Sequence, residues 1–263
     1  MLLLLAFLNA GIKQGLAQSN ASMDILLFSK TIGYRHEAIP RGINAFMELG
    51  EKNGWSVTCT EDSTLFKKNY LKRFDVIVFL LTGGDILNKK QQMAFQHYIH
   101  SGGGLVTVHT GTYTLQGWPW FSRLIGGIFT AHPPEQTAVL KIEDKHHPAV
   151  SFLPDSVWIW KDEWYSFNHN PRQDARVLIS VDESTYNIED DRWFKGVNMR
   201  MGDHPVVWCH ENEGGRVFQT ALGHSPDAYH NPLFRQHLTG AVLWAGRKVD
   251  NGNFKPGDAS PQE

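Results

Sequence analysis

The chain has 263 residues, enough for one domain with a full hydrophobic core. Its 41% hydrophobic and 20% charged residues are ordinary for a globular protein, and a net charge of −2 gives no electrostatic reason to expect nucleic acid or an anionic membrane as partner. Thirteen histidines stand out against 25 Lys and Arg together, because imidazole is the usual acid, base or metal ligand near neutral pH.

Residues 2–8 form an apolar run too short to cross a bilayer, and Gly15-Leu16-Ala17 places small residues at both cleavage positions. Residues 1–17 therefore read as a signal peptide, with the mature chain starting near Gln18. An exported protein follows, periplasmic or extracellular, with no membrane span after processing. The domain is expected over 24–248 and a polar tail over 249–263. Residues 24–28 are an apolar run that opens the domain, and 38–52 carry apolar residues at Ile39, Ile43, Phe46, Met47 and Leu49, a helical spacing. Strand resumes at Trp55. Residues 76–81 are continuously apolar, as in a strand buried on both faces of a parallel sheet.

A helix over 89–100 ends at three glycines, and 105–108 form another buried strand. This β-α-β alternation predicts a doubly wound sheet, whose ligands bind at the carboxyl ends of the strands. The rule selects the loops 29–36, 82–85 and 109–113. Shorter strands at 137–142, 157–160, 177–181, 206–209 and 216–220 are expected partly to extend the sheet and partly to flank the pocket. A helix over 232–245 closes the domain.

Thr107-Val108-His109-Thr110-Gly111 takes a buried strand into a tight turn with histidine at its tip, the layout of a nucleophile elbow. Imidazole suits general acid/base work or metal ligation better than a stable acyl intermediate. Gly223-His224 repeats the pattern at a second strand exit. In Asp162-Glu163-Trp164-Tyr165, alternation puts Glu163 and Tyr165 on one face and Asp162 on the other. His36 precedes a helix start, whose positive end favours a neutral imidazole. His132 lies in a loop fixed by Pro133 and Pro134, and His146-His147-Pro148 reads as a turn.

The predicted catalytic set is His109, His224 and Glu163, with His36, His132, Asp162, Tyr165 and Tyr113 as substrate contacts. Nothing in the sequence requires a cofactor, and without GxGxxG or Walker loops no nucleotide is expected. A divalent metal stays open. With no H-x-x-x-H or C-x-x-C spacing it would be assembled from distant loops, by His109, His132, Glu163 and His224. Cys59 and Cys209 sit in apolar runs and read as buried free thiols, a bridge between them being the alternative.

With these motifs in view, the chain resembles the ThuA-like (trehalose utilisation) family, itself similar in fold to class I glutamine amidotransferases. The resemblance spans residues 24–248. It is carried by Gly33-Tyr34-Arg35-His36, Gly103-Gly104-Leu105-Val106 through His109, His147-Pro148, Asp162-Glu163-Trp164-Tyr165, Pro205-Val206-Val207-Trp208, Gly215-Arg216-Val217-Phe218 through Gly223-His224, and Trp244-Ala245. It implies an α/β, flavodoxin-like fold: a mostly parallel central sheet with helices on both faces and a β-rich C-terminal flank. It also implies carbohydrate metabolism, with a small carbohydrate as partner, on glucosides, disaccharides or their keto-sugar derivatives. His109 takes the place of the amidotransferase nucleophile cysteine, and His224 resembles the histidine of that triad. Ser225-Pro226-Asp227 follows where the amidotransferases have Pro-Glu, so glutamine hydrolysis is not expected. A non-catalytic sugar-binding module and a metal-dependent hydrolase remain the alternatives, and a homo-oligomer is compatible with all three.

Overall fold

The computed structural model describes residues 22–249. The expected signal peptide and all of the expected tail except Val249 lie outside the described residues. The domain opens with β1 (Met23–Phe28), α1 (Ile39–Asn53) and β2 (Trp55–Thr60). A short α2 (Lys68–Leu71) leads to β3 (Val76–Leu80), α3 (Lys89–His100) and β4 (Gly104–Val108). There follow α4 (Pro119–Ile125), β5 (Phe129–Ala131), β6 (Gln136–Ile142), β7 (Val157–Asp162), β8 (Ser166–Phe167) and β9 (Arg176–Val181). The hairpin β10 (Pro205–Asn212) and β11 (Gly215–Thr220) precedes the last helix, α5 (Pro232–Ala245).

Local chemistry sets the helix ends. Pro40 occupies the first turn of α1, where no backbone donor is needed, and Gly54 ends it at φ 73. Asn88 and Gln91 close a capping box on α3, and Asn231 caps α5. Gly240 is required by packing: a Cβ there would lie 2.3 Å from the Pro148 carbonyl oxygen, so α5 reaches the 148–149 backbone only with glycine.

Nine strands form one sheet in the order β2-β1-β3-β4-β11-β10-β9-β6-β7. The first five are mutually parallel and the remaining pairs antiparallel. The sheet thus begins parallel and is half antiparallel, where a mostly parallel one was expected. The later strands do not form a separate flank: β6, β7, β9 and β10 all extend the main sheet, and only β5 and β8 pair apart from it. Hairpins make that extension possible, since they return a strand beside its predecessor without a crossover helix.

Alternate strand residues feed two cores. Ile25, Leu27, Val78 and Leu80 pack with Phe46 and Leu49 of α1 and with Phe234 and Leu238 of α5. Leu26, Phe28, Ile77 and Phe79 pack with Phe95 and Ile99 of α3 and with Phe121 and Leu124 of α4. Burial of β3 on both faces explains its unbroken apolar run, whereas the edge strand β7 alternates exposed Val157 and Ile159 with buried Trp158 and Trp160. Both cysteines are free, but the expectation for Cys59 is corrected. It lies exposed on the edge strand β2, while Cys209 is buried in β10.

Candidate functional site

The parallel strands β1, β3, β4 and β11 end on one edge of the sheet. In the β4–β11 register Thr220 is opposite Val108, so His109 and the segment 221–224 leave side by side. His109 takes φ 62 and ψ −88, a strained backbone consistent with the predicted elbow. Its N–H donates to the Thr220 carbonyl (2.7 Å) and its Nδ1 to the Ala221 carbonyl (2.8 Å). That fixes the tautomer: Nε2 carries the lone pair and accepts from the Tyr165 hydroxyl at 2.9 Å. An elbow would expose its tip to the pocket, but this tip does not line it. His109 is 0% exposed, beneath Tyr165 and His36.

The other side of the site arrives from β7. Asp162 and Glu163 divide as alternation predicts. Asp162 Oδ2 accepts from Trp160 Nε1 (2.8 Å) and Gly223 N (2.7 Å), and Oδ1 from Glu163 N (3.0 Å) and His224 N (3.2 Å). Asp162 is therefore not the expected substrate contact. Its carboxylate clamps the end of β7 onto the loop before His224, where Gly223 turns at φ 110. Burial pushes its pKa up, opposed by His109 and by the bonds from Gly223 and Trp160.

Glu163 is the hub. Its Oε2 lies 3.2 Å from His224 Nδ1 and 3.4 Å from His109 Nε2, and its Oε1 lies 3.6 Å from His132 Nδ1. Burial alone would raise its pKa, but the imidazoles of His109, His224 and His132 around it outweigh burial and hold the carboxyl below the usual range. For His224, burial acts downward and Glu163 overcomes it, so its pKa is raised. His36, whose ring centroid is 4.9 Å from that of His109 and 5.2 Å from that of His224, is pushed down to about 2 by burial and by those two neighbours. His132 is lowered by burial, which Glu163 opposes.

His36, His109, His132, Glu163 and His224 thus converge, together with Tyr165. Of these, His36, His132, Glu163 and Tyr165 border a pocket of about 400 Å³, to which the first predicted loop brings Tyr34 and His36, the second Thr82 and Gly83, and the third Thr110 and Tyr113. Phe129, His132, Glu163, Tyr165, Trp193 and Phe194 complete the wall. All three loops selected by the strand-end rule line this pocket. His109 and His224 stand behind Glu163, outside that lining. A larger groove of about 590 Å³ along α3 carries no comparable cluster of facing acids and imidazoles.

The sequence reading missed Phe129, Trp193 and Phe194. The last two sit in the 23-residue connection, residues 182–204, between β9 and β10. The available signal was an aromatic pair inside the polar run Asp190-Asp191-Arg192-Trp193-Phe194-Lys195. Trp193 (56% exposed) and Tyr34 (66% exposed) form an open aromatic rim, a face suited to an apolar sugar surface.

Four of these side chains, His36, His109, Glu163 and His224, each offer one ligand atom, all within 4.8 Å of one another. The set differs from the expected one in that His36 replaces His132, whose Nδ1 is turned to the Pro133 carbonyl (2.9 Å).

A family model described as trehalose utilisation, ThuA, matches residues 24–245. Among solved structures, a ThuA-like protein from Bacteroides uniformis is 25% identical, the match covering 88% of this chain and 94% of that one with a TM-score of 0.70. A ThuA-like protein from Parabacteroides merdae is 20% identical over 89% and 93% of the two chains, with a TM-score of 0.68. A cytoplasmic protein from Salmonella typhimurium shares the fold at 12% identity, over 84% and 98% of the chains, with a TM-score of 0.59. Among curated proteins, none matches.

Proposed function

Because the chain belongs to the ThuA trehalose-utilisation family, we propose that it is a carbohydrate-processing enzyme that moves a proton at a carbon or hydroxyl of a small sugar bound in this pocket. Its substrates are glucosides, disaccharides or their keto-sugar derivatives. The observation that carries the reading is the Glu163–His132 pair on the wall of an aromatic-rimmed pocket. Trp193, Tyr34 and Phe129 offer flat faces to the ring, and the polar floor meets its hydroxyls.

His132 is the proton carrier in this scheme. Its Nδ1–H is held by the Pro133 carbonyl and faces the charge of Glu163, which leaves Nε2 as the lone-pair nitrogen. Such an imidazole can take a proton from a carbon beside a carbonyl and return it. Tyr165 supplies a hydroxyl at the same floor. Behind them His109 and His224, which the sequence reading made the proton carriers, fix the position and charge of Glu163. Burial supports that reassignment for His109, which has no exposed surface, and for His224 the support is that its Nδ1 faces Glu163. We place the enzyme outside the cytoplasm, on the apolar run and small-residue site of residues 2–17.

The test is turnover on a panel of glucosides and disaccharides with their oxidised counterparts. His132→Gln and Glu163→Gln should each lower kcat by roughly 10²–10⁴-fold while the fold persists. A wild-type chain that binds members of the panel but converts none would make this a sugar-binding module instead.

A further inference from the structure

The histidines around Glu163 carry ring nitrogens that the proton chemistry assigned to His132 does not use. His36 Nδ1 is buried and, among the described residues, has no hydrogen-bond partner, while His224 Nδ1 is buried with only the Glu163 carboxylate facing it at 3.2 Å. His36 is 6% exposed and borders the pocket, so an unpaired ring nitrogen there is a desolvated lone pair or donor with nothing to meet it. His109 Nδ1 is tied to a backbone carbonyl, the arrangement that orients an imidazole and leaves Nε2 as a ligand. Glu163 supplies the only carboxylate in this group of four.

The geometry points to a mononuclear site: we propose that His36, His109, His224 and Glu163 bind one divalent transition-metal ion. Bond lengths of about 2.0–2.2 Å to nitrogen and carboxylate oxygen put tetrahedral ligand atoms roughly 3.4 Å apart. Two of the separations already have that length, Glu163 Oε2 to His224 Nδ1 (3.2 Å) and to His109 Nε2 (3.4 Å). The widest pair, at no more than 4.8 Å, must close by at most about 1.4 Å on binding the ion. Three imidazoles and one carboxylate select a late first-row ion such as zinc or cobalt over calcium or magnesium, which take oxygen ligands. Among the described residues lining the pocket there is no Lys or Arg to compete for Glu163.

One hydrogen bond must yield. The Tyr165 hydroxyl, 2.9 Å from His109 Nε2, turns away when that nitrogen binds the ion. His36 and Glu163 both border the cavity, so an added ligand position opens toward it. That position would receive a sugar oxygen, a consequence that rests on the carbohydrate reading. The ion site itself does not.

The test uses untagged full-length protein stripped with a chelator, without sugar. Calorimetric titration with zinc should give one ion per chain, and cobalt should give the visible absorption bands of a low-symmetry nitrogen–oxygen site. His36→Gln and His224→Gln should each weaken zinc binding by more than 10-fold, and His132→Gln by less than twofold. A wild-type chain that takes up no zinc would overturn the proposal. So would binding that both variants retain within twofold, which places the ion on other histidines. The cobalt spectrum of the wild-type protein decides the matter even if a variant fails to fold. Loss of sugar turnover with intact ion binding would instead count against the carbohydrate reading alone.

Discussion

Replacing Asp162 with asparagine tests how the site is held together. Both carboxylate oxygens are fully used, each accepting two N–H groups. Asparagine keeps one acceptor oxygen, and whichever way its amide is turned, its nitrogen faces two donors. Hydrogen bonds to a charged acceptor contribute about 1.5–3 kcal/mol each, so two lost bonds cost about 3–6 kcal/mol. Relief of the buried charge offsets part of that, because burial already raises the pKa of Asp162. The net expectation is about 3 kcal/mol of lost stability, read as a lower urea midpoint at unchanged m. The bonds to Gly223 and His224 are among those at stake, so ion and sugar binding should weaken together. An asparagine variant within 1 kcal/mol of wild type, with both ligands bound normally, would refute the clamp.

Other consequences are equally direct. Trp193→Ala should leave stability unchanged within about 0.5 kcal/mol, since the ring is exposed, but raise KM for the sugar roughly 10-fold; unchanged KM would remove the ring from the binding rim. Burial holds His237 at about 4, below its ordinary 6.5, so the fold favours its neutral form. The unfolded chain takes up that proton first, and stability that is complete above 6.5 falls by about 1.4 kcal/mol per pH unit as pH drops from 6.5 toward 4. His237→Gln should lessen that acid slope by about one proton, measured by urea midpoints at several pH values, whereas an unchanged slope would assign it to other groups. Mass spectrometry of protein expressed with its own N-terminus should find a chain starting near Gln18, and an intact residue 1 in the mature pool would contradict export.

Much of the fold was legible because buried strands announce themselves. The unbroken apolar run of β3, the helical spacing of α1 and the glycines closing α3 each reflect a local rule that tertiary packing reinforces. Strand order was not legible. The pairing of β11 with β4 sets His224 beside His109, and it joins residues more than a hundred positions apart through backbone hydrogen bonds that no side-chain pattern encodes. For the same reason the later strands were expected only partly to extend the sheet, whereas β6, β7, β9 and β10 all join it.

Within the site, strand-end histidines were found by position, but burial and tautomer were not. His36 and His132 looked equivalent as loop histidines. Their roles separate only because the Pro133 carbonyl captures one ring while the other is left unpaired against His109 and His224. Asp162 and Glu163 were divided correctly by alternation, yet the four donors that occupy Asp162 come from backbone and indole groups the sequence does not align. Trp193 was missed because a long irregular connection carries no periodicity to read.

The most direct test of the central claim is hydrogen exchange at carbon. Oxidised glucosides incubated with the protein in D2O should gain deuterium at the carbon beside the carbonyl, followed by proton NMR. The account predicts incorporation with wild type and its loss in His132→Gln. Binding of the sugar without any incorporation, or undiminished incorporation by that variant, would contradict it.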